Sequence, residues 1–140
     1  MKAKTLYRTA AVLFALFTAG HTFGFLSFKA SSAAGAAVRA EMDRVALDGG
    51  ATWGGFFVGF GLDISAFMAF SAILAWGLGS LSVRPAEGFG LIAWSFAALQ
   101  SATLALSLAY FGTAPAVFSA AATLLLGWAA LSSVGYGSQS

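Results

Sequence analysis

The stretch that decides the fold is residues 53–79, WGGFFVGFGLDISAFMAFSAILAWGLG. It is longer than the ~20 apolar residues with which a helix crosses a hydrocarbon core about 30 Å thick. Asp63 is its one charged residue. The stretch therefore predicts a membrane-spanning helix.

Three further stretches have the same apolar character, at residues 9–28, 89–111 and 115–135. Hydrophobic residues make up 59% of the 140-residue chain and charged residues 9%, whereas soluble domains carry roughly 25% charged residues. So few charges cannot cover the surface of a small water-soluble fold. We predict an all-α integral membrane protein, with residues 1–140 forming a single transmembrane domain as a four-helix bundle in the lipid bilayer.

The long connection between the first two spans, residues 30–52, carries a helical pattern of its own. Val38, Met42 and Val45 fall at i, i+4 and i+7, and charged residues mostly cover the other side. This spacing predicts a short amphipathic helix at the membrane surface. The alternative is a mobile loop of alanine, glycine and serine.

Basic residues near the span ends indicate the orientation, because they are enriched on the cytoplasmic side. One side holds four of them and the other holds three, which favours an orientation with both termini in the cytoplasm. A cleaved signal peptide is the alternative for the first span. Against it, the apolar run is longer than the about 7–15 residues usual in such a peptide. The four are Lys2, Lys4, Arg8 and Arg84, and the three are Lys29, Arg39 and Arg44.

Charge and cysteine content exclude several classes of function. The net charge of +2 is too small to indicate a nucleic-acid partner. The absence of cysteine excludes disulfides, thiolate metal sites and a cysteine nucleophile. One histidine cannot make a two-histidine haem site within a monomer, so we predict no metal and no cofactor.

Small residues at small-xxx-small spacing predict where helices pack, because close backbone contact replaces the hydrophobic effect in lipid. Two such pairs lie in the first and second spans. They are Gly20 with Gly24 and Gly55 with Gly59.

Three polar side chains stand inside the predicted spans: His21, Asp63 and Gln100. Such residues are costly in a membrane and mark sites or helix contacts. From a rise of about 1.5 Å per residue, all three fall in one layer to within about a helical turn. We therefore expect a polar site near the middle of the bundle.

The hypothesis for this layer is a proton-sharing pair of His21 and Asp63 acting as general acid and base. Gln100 would orient a substrate, and neighbouring phenylalanines would form an apolar wall. The structural alternative is that the pair only clasps two helices together. The predicted wall consists of Phe17, Phe25, Phe60 and Phe67.

Residues 19–24, AGHTFG, and 57–62, FVGFGL, carry a resemblance. The chain resembles a family of small uncharacterised bacterial four-helix inner-membrane proteins with a Gly-His-Thr-x-Gly run in helix one and a Gly-Phe-Gly-Leu run in helix two. The resemblance implies the same architecture over most of the chain. It draws attention to His21, Gly24, Gly59 and Gly61, and it implies no activity.

The leading functional prediction is a buried polar site that handles a lipophilic small molecule. Its chemistry would be proton transfer of the isomerase, hydratase or cyclase type, and the sequence leaves open whether the chain is an enzyme. One alternative is a non-catalytic accessory subunit of a larger membrane complex. Another is a small proton- or ion-coupled transporter, working as a homo-oligomer.

Overall fold

The computed structural model describes residues 2–134, and these form helices joined by short connections. Four of the helices, α1, α3, α4 and α5, are long and apolar enough to cross a membrane. The predicted all-helical fold and its four long apolar helices are confirmed. Gly135, the predicted end of the fourth span, lies outside the described residues. The helices are α1 (Ala3–Leu26), α2 (Ala33–Arg44), α3 (Trp53–Leu81), α4 (Phe89–Tyr110) and α5 (Thr113–Val134).

The four long helices form an up-and-down bundle in which α1 packs between α3 and α5, and α4 packs chiefly on α5. α1 and α3 run antiparallel, because His21 meets Ser65 near one end and Arg8 meets Trp76 towards the other. The bundle therefore has one end at which α1 finishes and α3 begins, next to α2. We call this the α2 end.

The core is made of a few large side chains among many alanines. Tyr7, Phe14, Leu78 and Leu126 are buried, and alanines such as Ala122 fill the space between them. The ring of Tyr7 meets Phe89 edge-on at 6.3 Å, and Phe14 stacks on Phe96 at 5.8 Å. The alanines let the helix backbones approach closely, which is how membrane helices gain packing energy.

α2 and the start of α3 are each fixed by an N-cap. The hydroxyl of Ser32 accepts a hydrogen bond from the amide of Gly35 at 3.1 Å, and Thr52 accepts from Gly55 at 3.0 Å. Each cap satisfies an amide that the helix itself leaves unpaired. The predicted helix within residues 30–52 is therefore present, and its position at a membrane surface stays a prediction.

α2 rests against the first turns of α3. Asp43 lies over Gly54 so closely that a Cβ there would run into its carboxylate. The guanidinium of Arg39 lies 5.6 Å from the ring centre of Phe57 and pairs with Asp43 at 3.2 Å. These contacts hold α2 at the α2 end of the bundle.

The glycines that bring helices together are not the predicted ones. Nothing from a neighbouring element lies within 4 Å of a Cβ built on Gly20, Gly24 or Gly59, and Gly55 meets only the hydroxyl of its own cap. The prediction that these four glycines pack the helices is therefore wrong for contacts within this chain. The close approaches occur instead at Gly54, at Gly61, which faces the ring of Phe25, and at Gly79, which faces the start of α1.

Candidate functional site at His21

A small hydrogen-bonded cluster joins α1 to α3 near the α2 end. The Nδ1 of His21 lies 3.1 Å from the hydroxyl of Ser65, and the hydroxyl of Thr22 donates to Ser65 at 2.9 Å. Ser65 in turn donates to the carbonyl of Gly61 at 3.2 Å. The cluster is held from both helices, because His21 and Thr22 belong to α1 and the other two residues to α3.

The hydrogen bonds of Ser65 bear on the tautomer of the imidazole. A serine hydroxyl has one proton to donate and two lone pairs to accept with. If Ser65 donates to Gly61 and accepts from Thr22, its remaining lone pair accepts the Nδ1 proton of His21. In the neutral imidazole Nε2 is then the unprotonated nitrogen, and it has no hydrogen-bond partner among residues 2–134.

Two phenyl rings flank the imidazole. Phe25 stacks on His21 with ring centres 5.8 Å apart and planes 3° from parallel. Phe17 lies on the other side at 6.4 Å, and it stacks in turn on Phe118 of α5 at 3.9 Å. Phe17 and Phe25 therefore both contact the imidazole ring, and their role as a wall for a substrate stays a prediction. Phe25 has room for its ring because α3 presents Gly61 to it.

Asp63 does not join this cluster. It lies on an exposed part of α3, and within residues 2–134 it makes no hydrogen bond or ion pair. The predicted contact between His21 and Asp63 is therefore wrong, and Ser65 occupies the place expected for the carboxylate. The physical reason is helical geometry, since two residues turn a helix by about 200°.

Three other predicted site residues also make no contact with the imidazole. Phe60 and Phe67 are exposed on α3, away from the imidazole. Gln100 is buried, with 1% of its surface exposed, and its Oε1 has no hydrogen-bond partner in the described part of the chain. It follows Phe96 by about one turn of α4, in the core, and no hydrogen bond joins it to His21.

A cleft of about 350 Å³ opens beside the cluster, between the end of α1, α2 and the start of α3. Phe25 lines this cleft, and its ring also stacks on His21, which is not itself a lining residue. The lining is apolar on the side of α1 and α3 and polar on the side of α2. Its residues include Phe25, Phe28, Phe57 and Val58 on the first side and Ser31, Ser32 and Arg39 on the second.

Sequence reasoning missed Ser65 and the role of Thr22, because serine and threonine in apolar helices commonly bond to their own backbone and carry no signal of a partner.

In the described part of the chain, no group of three or more His, Asp or Glu residues lies close enough to hold a metal ion. The chain matches no family model, no curated protein and no solved structure.

Proposed function

We propose that this chain is a multi-pass protein of the bacterial inner membrane that binds a lipophilic small molecule beside His21. The observation that carries the proposal is the setting of the imidazole. Ser65 holds its Nδ1, Phe17 and Phe25 flank its ring, and the Phe25 ring is also a wall of the 350 Å³ cleft. Ligand sites of this kind are largely apolar, with a few fixed polar groups.

The orientation that we propose places the α2 end outside and both termini in the cytoplasm. The basic residues at the opposite end of the bundle, Lys2, Lys4, Arg8 and Arg84, support it through the positive-inside tendency. In this orientation the cleft lies in the outer leaflet. A ligand would then enter from the lipid or the periplasm.

The shape and lining of the cleft indicate the kind of ligand. Its volume is at the lower end of the roughly 300–1,000 Å³ range of small-molecule sites. Phe57 and Val58 offer an apolar surface, and Ser31 and Arg39 offer polar groups at the α2 side. We therefore expect a compact lipophile with one polar end, oriented with that end towards α2.

The chemistry that we propose is proton transfer at His21. The imidazole does not line the cleft, and it would reach a ligand there only when the Phe25 ring that stacks on it moves aside. If Ser65 accepts the Nδ1 proton of His21, Nε2 is the nitrogen left to accept a proton from a ligand. Isomerisation, hydration or cyclisation of the bound lipophile would use such a base. Asp63 has no part in this proposal, because it lies away from the imidazole.

The test is native mass spectrometry of the protein extracted gently from its own membrane, with a variant that fills the cleft. The unaltered protein should carry about one small lipophile per chain. Val58→Trp places a large ring in the cleft and should abolish retention of that molecule. His21→Asn should weaken retention. Thermal unfolding of each variant checks that it is folded.

The matched control is Leu124→Trp, on an exposed apolar surface of α5 away from the site. This variant should keep the lipophile. The proposal fails if the unaltered protein carries nothing except bulk phospholipid, or if Val58→Trp and Leu124→Trp retain the same molecule equally.

A further inference from the structure

Asp63 is a carboxylate without a partner near the middle of an apolar helix. α3 has 29 residues, and at a rise of about 1.5 Å per residue Asp63 lies roughly 15 Å from its first residue, about one turn short of the helix midpoint. The residue is exposed. Within residues 2–134 nothing forms an ion pair or hydrogen bond with it.

The surface around Asp63 has a distinctive composition. It lies opposite the side of α3 that Gly61 and Ser65 present to α1, as the helical turn of 100° per residue requires. We call it the Asp63 face. It combines exposed aromatic rings with small residues, and nothing lies within 4 Å of a Cβ built on its Gly59. Its members are Phe56, Gly59, Phe60, Asp63, Ala66, Phe67 and Phe70, all exposed.

A face of phenylalanines alone would be satisfied by lipid, but a carboxylate at this depth is not. Charged residues inside membrane spans almost always face the protein interior, line water or pair with another group. Here the chain itself supplies no pairing group. Arg8 lies over the ring of Trp76 at 4.2 Å towards the other end of the bundle, and His21 lies on the opposite side of α3, bonded to Ser65.

Charge complementarity decides between the possible occupants of this face. A second copy of the chain related by a two-fold axis would bring Asp63 against Asp63, and two like charges disfavour each other. A helix with a basic residue would neutralise the carboxylate. Gly59 and Ala66 beside it would let that helix approach closely, as small residues do at membrane helix contacts.

We propose that the Asp63 face binds a membrane-spanning helix of another protein, which presents a lysine or arginine at the depth of Asp63. This inference does not depend on the lipophile site. The two surfaces lie on opposite sides of α3, and one can be disabled without the other.

The experiment measures binding of a synthetic peptide in liposomes. The peptide is a membrane-spanning leucine-alanine helix with one central lysine, and its matched partner has leucine in that place. Energy transfer is recorded between a dye on the peptide and a dye on Ala114→Cys of the protein, which has no natural cysteine. The lysine peptide should bind roughly tenfold more tightly than the leucine peptide, the size of a single polar contact between membrane helices.

The variants assign this binding to the face. Asp63→Asn should remove the preference for the lysine peptide. Gly59→Leu should weaken binding of the lysine peptide, because the larger side chain keeps the peptide helix from approaching α3 closely. Glu87→Gln is the control, because it removes an exposed acid outside α3 and α4, and it should change nothing. Asp63→Asn should also leave thermal unfolding and lipophile retention unchanged, because Asp63 contacts no group of the site.

Two results would overturn the inference. The face would meet lipid if the lysine and leucine peptides bound equally tightly to the unaltered protein. The same would follow if Asp63→Asn bound the lysine peptide as tightly as the unaltered protein does. The occupant would be a second copy if differently labelled copies of the protein showed energy transfer that requires Asp63 and that the lysine peptide does not abolish.

Discussion

At Gly61, α3 has no room for a side chain, because the ring of Phe25 occupies the position of a Cβ. That same ring stacks on His21. We therefore predict that Gly61→Ala pushes Phe25 off the imidazole. Overpacking of this kind costs about 1–3 kcal/mol, and the higher helix propensity of alanine offsets up to about 1 kcal/mol of it. The free energy of unfolding in mild detergent should fall, together with lipophile retention.

The control is Gly59→Ala, two residues earlier in the same helix, where nothing lies within 4 Å of the new methyl group. It should leave the purified protein as stable as before, or slightly more stable. Equal stability and equal lipophile retention in the two variants would contradict the packing of Phe25 against Gly61.

The sequence predicted the level of the site along the helices and its histidine on α1, but not its residue on α3. Depth follows from counting residues along a helix, and it brought His21 to the level at which α3 carries Asp63 and Ser65. The choice between these two is a matter of direction, and in an apolar helix no polar face indicates it. Charge drew attention to Asp63, but the serine faces α1.

At the scale of elements, the packing of α2 against α3 depends on Gly54. A methyl group there would meet the carboxylate of Asp43 and lie 3.1 Å from its Cα, so the backbone of α2 would have to move. We predict that Gly54→Ala releases the C-terminal half of α2. Amide hydrogen exchange at residues 40–44 should rise about tenfold, equivalent to about 1.4 kcal/mol of lost protection.

A matched change elsewhere in α3 separates this effect from a general loosening. Gly77→Ala adds the same methyl group where nothing lies within 4 Å, and it should leave the exchange of α2 unchanged. If both variants exchange alike, α2 is not held by the contact between Asp43 and Gly54.

The starts of the helices coincide with the starts of the predicted apolar spans at α3 and α4, and they precede them at α1 and α5. α3 and α4 begin at Trp53 and Phe89, where the apolar stretches 53–79 and 89–111 also begin. α1 begins at Ala3 rather than at residue 9, because Arg8 lays its guanidinium over Trp76 and so is accommodated inside the helix. α5 begins at Thr113, ahead of Pro115, since the first turn of a helix tolerates a proline.

At the scale of the whole molecule, the order of the helices was beyond the sequence. All four long helices are apolar on every side, so no polar face shows which side meets lipid and which meets protein. The structure places α1 between α3 and α5, with Tyr7 and Phe14 in the core. Small residues mark possible contacts on every helix, and shape complementarity, which the sequence does not display, selects among them.

The arrangement of the whole bundle in the membrane gives the last prediction. The antiparallel packing puts the connection between α2 and α3 and the hairpin between α4 and α5 at the α2 end, and the connection between α3 and α4 at the opposite end. With the basic residues favouring the cytoplasm for that opposite end, single cysteines at Ala51 and Ala114 should react with an impermeant maleimide in spheroplasts. A cysteine at Ala86 should react only after the membrane is permeabilised.

All three positions are exposed, and the chain has no cysteine of its own, so each label reports one site. Labelling of Ala86→Cys alone would reverse the orientation, and different outcomes for Ala51→Cys and Ala114→Cys would contradict the up-and-down bundle itself.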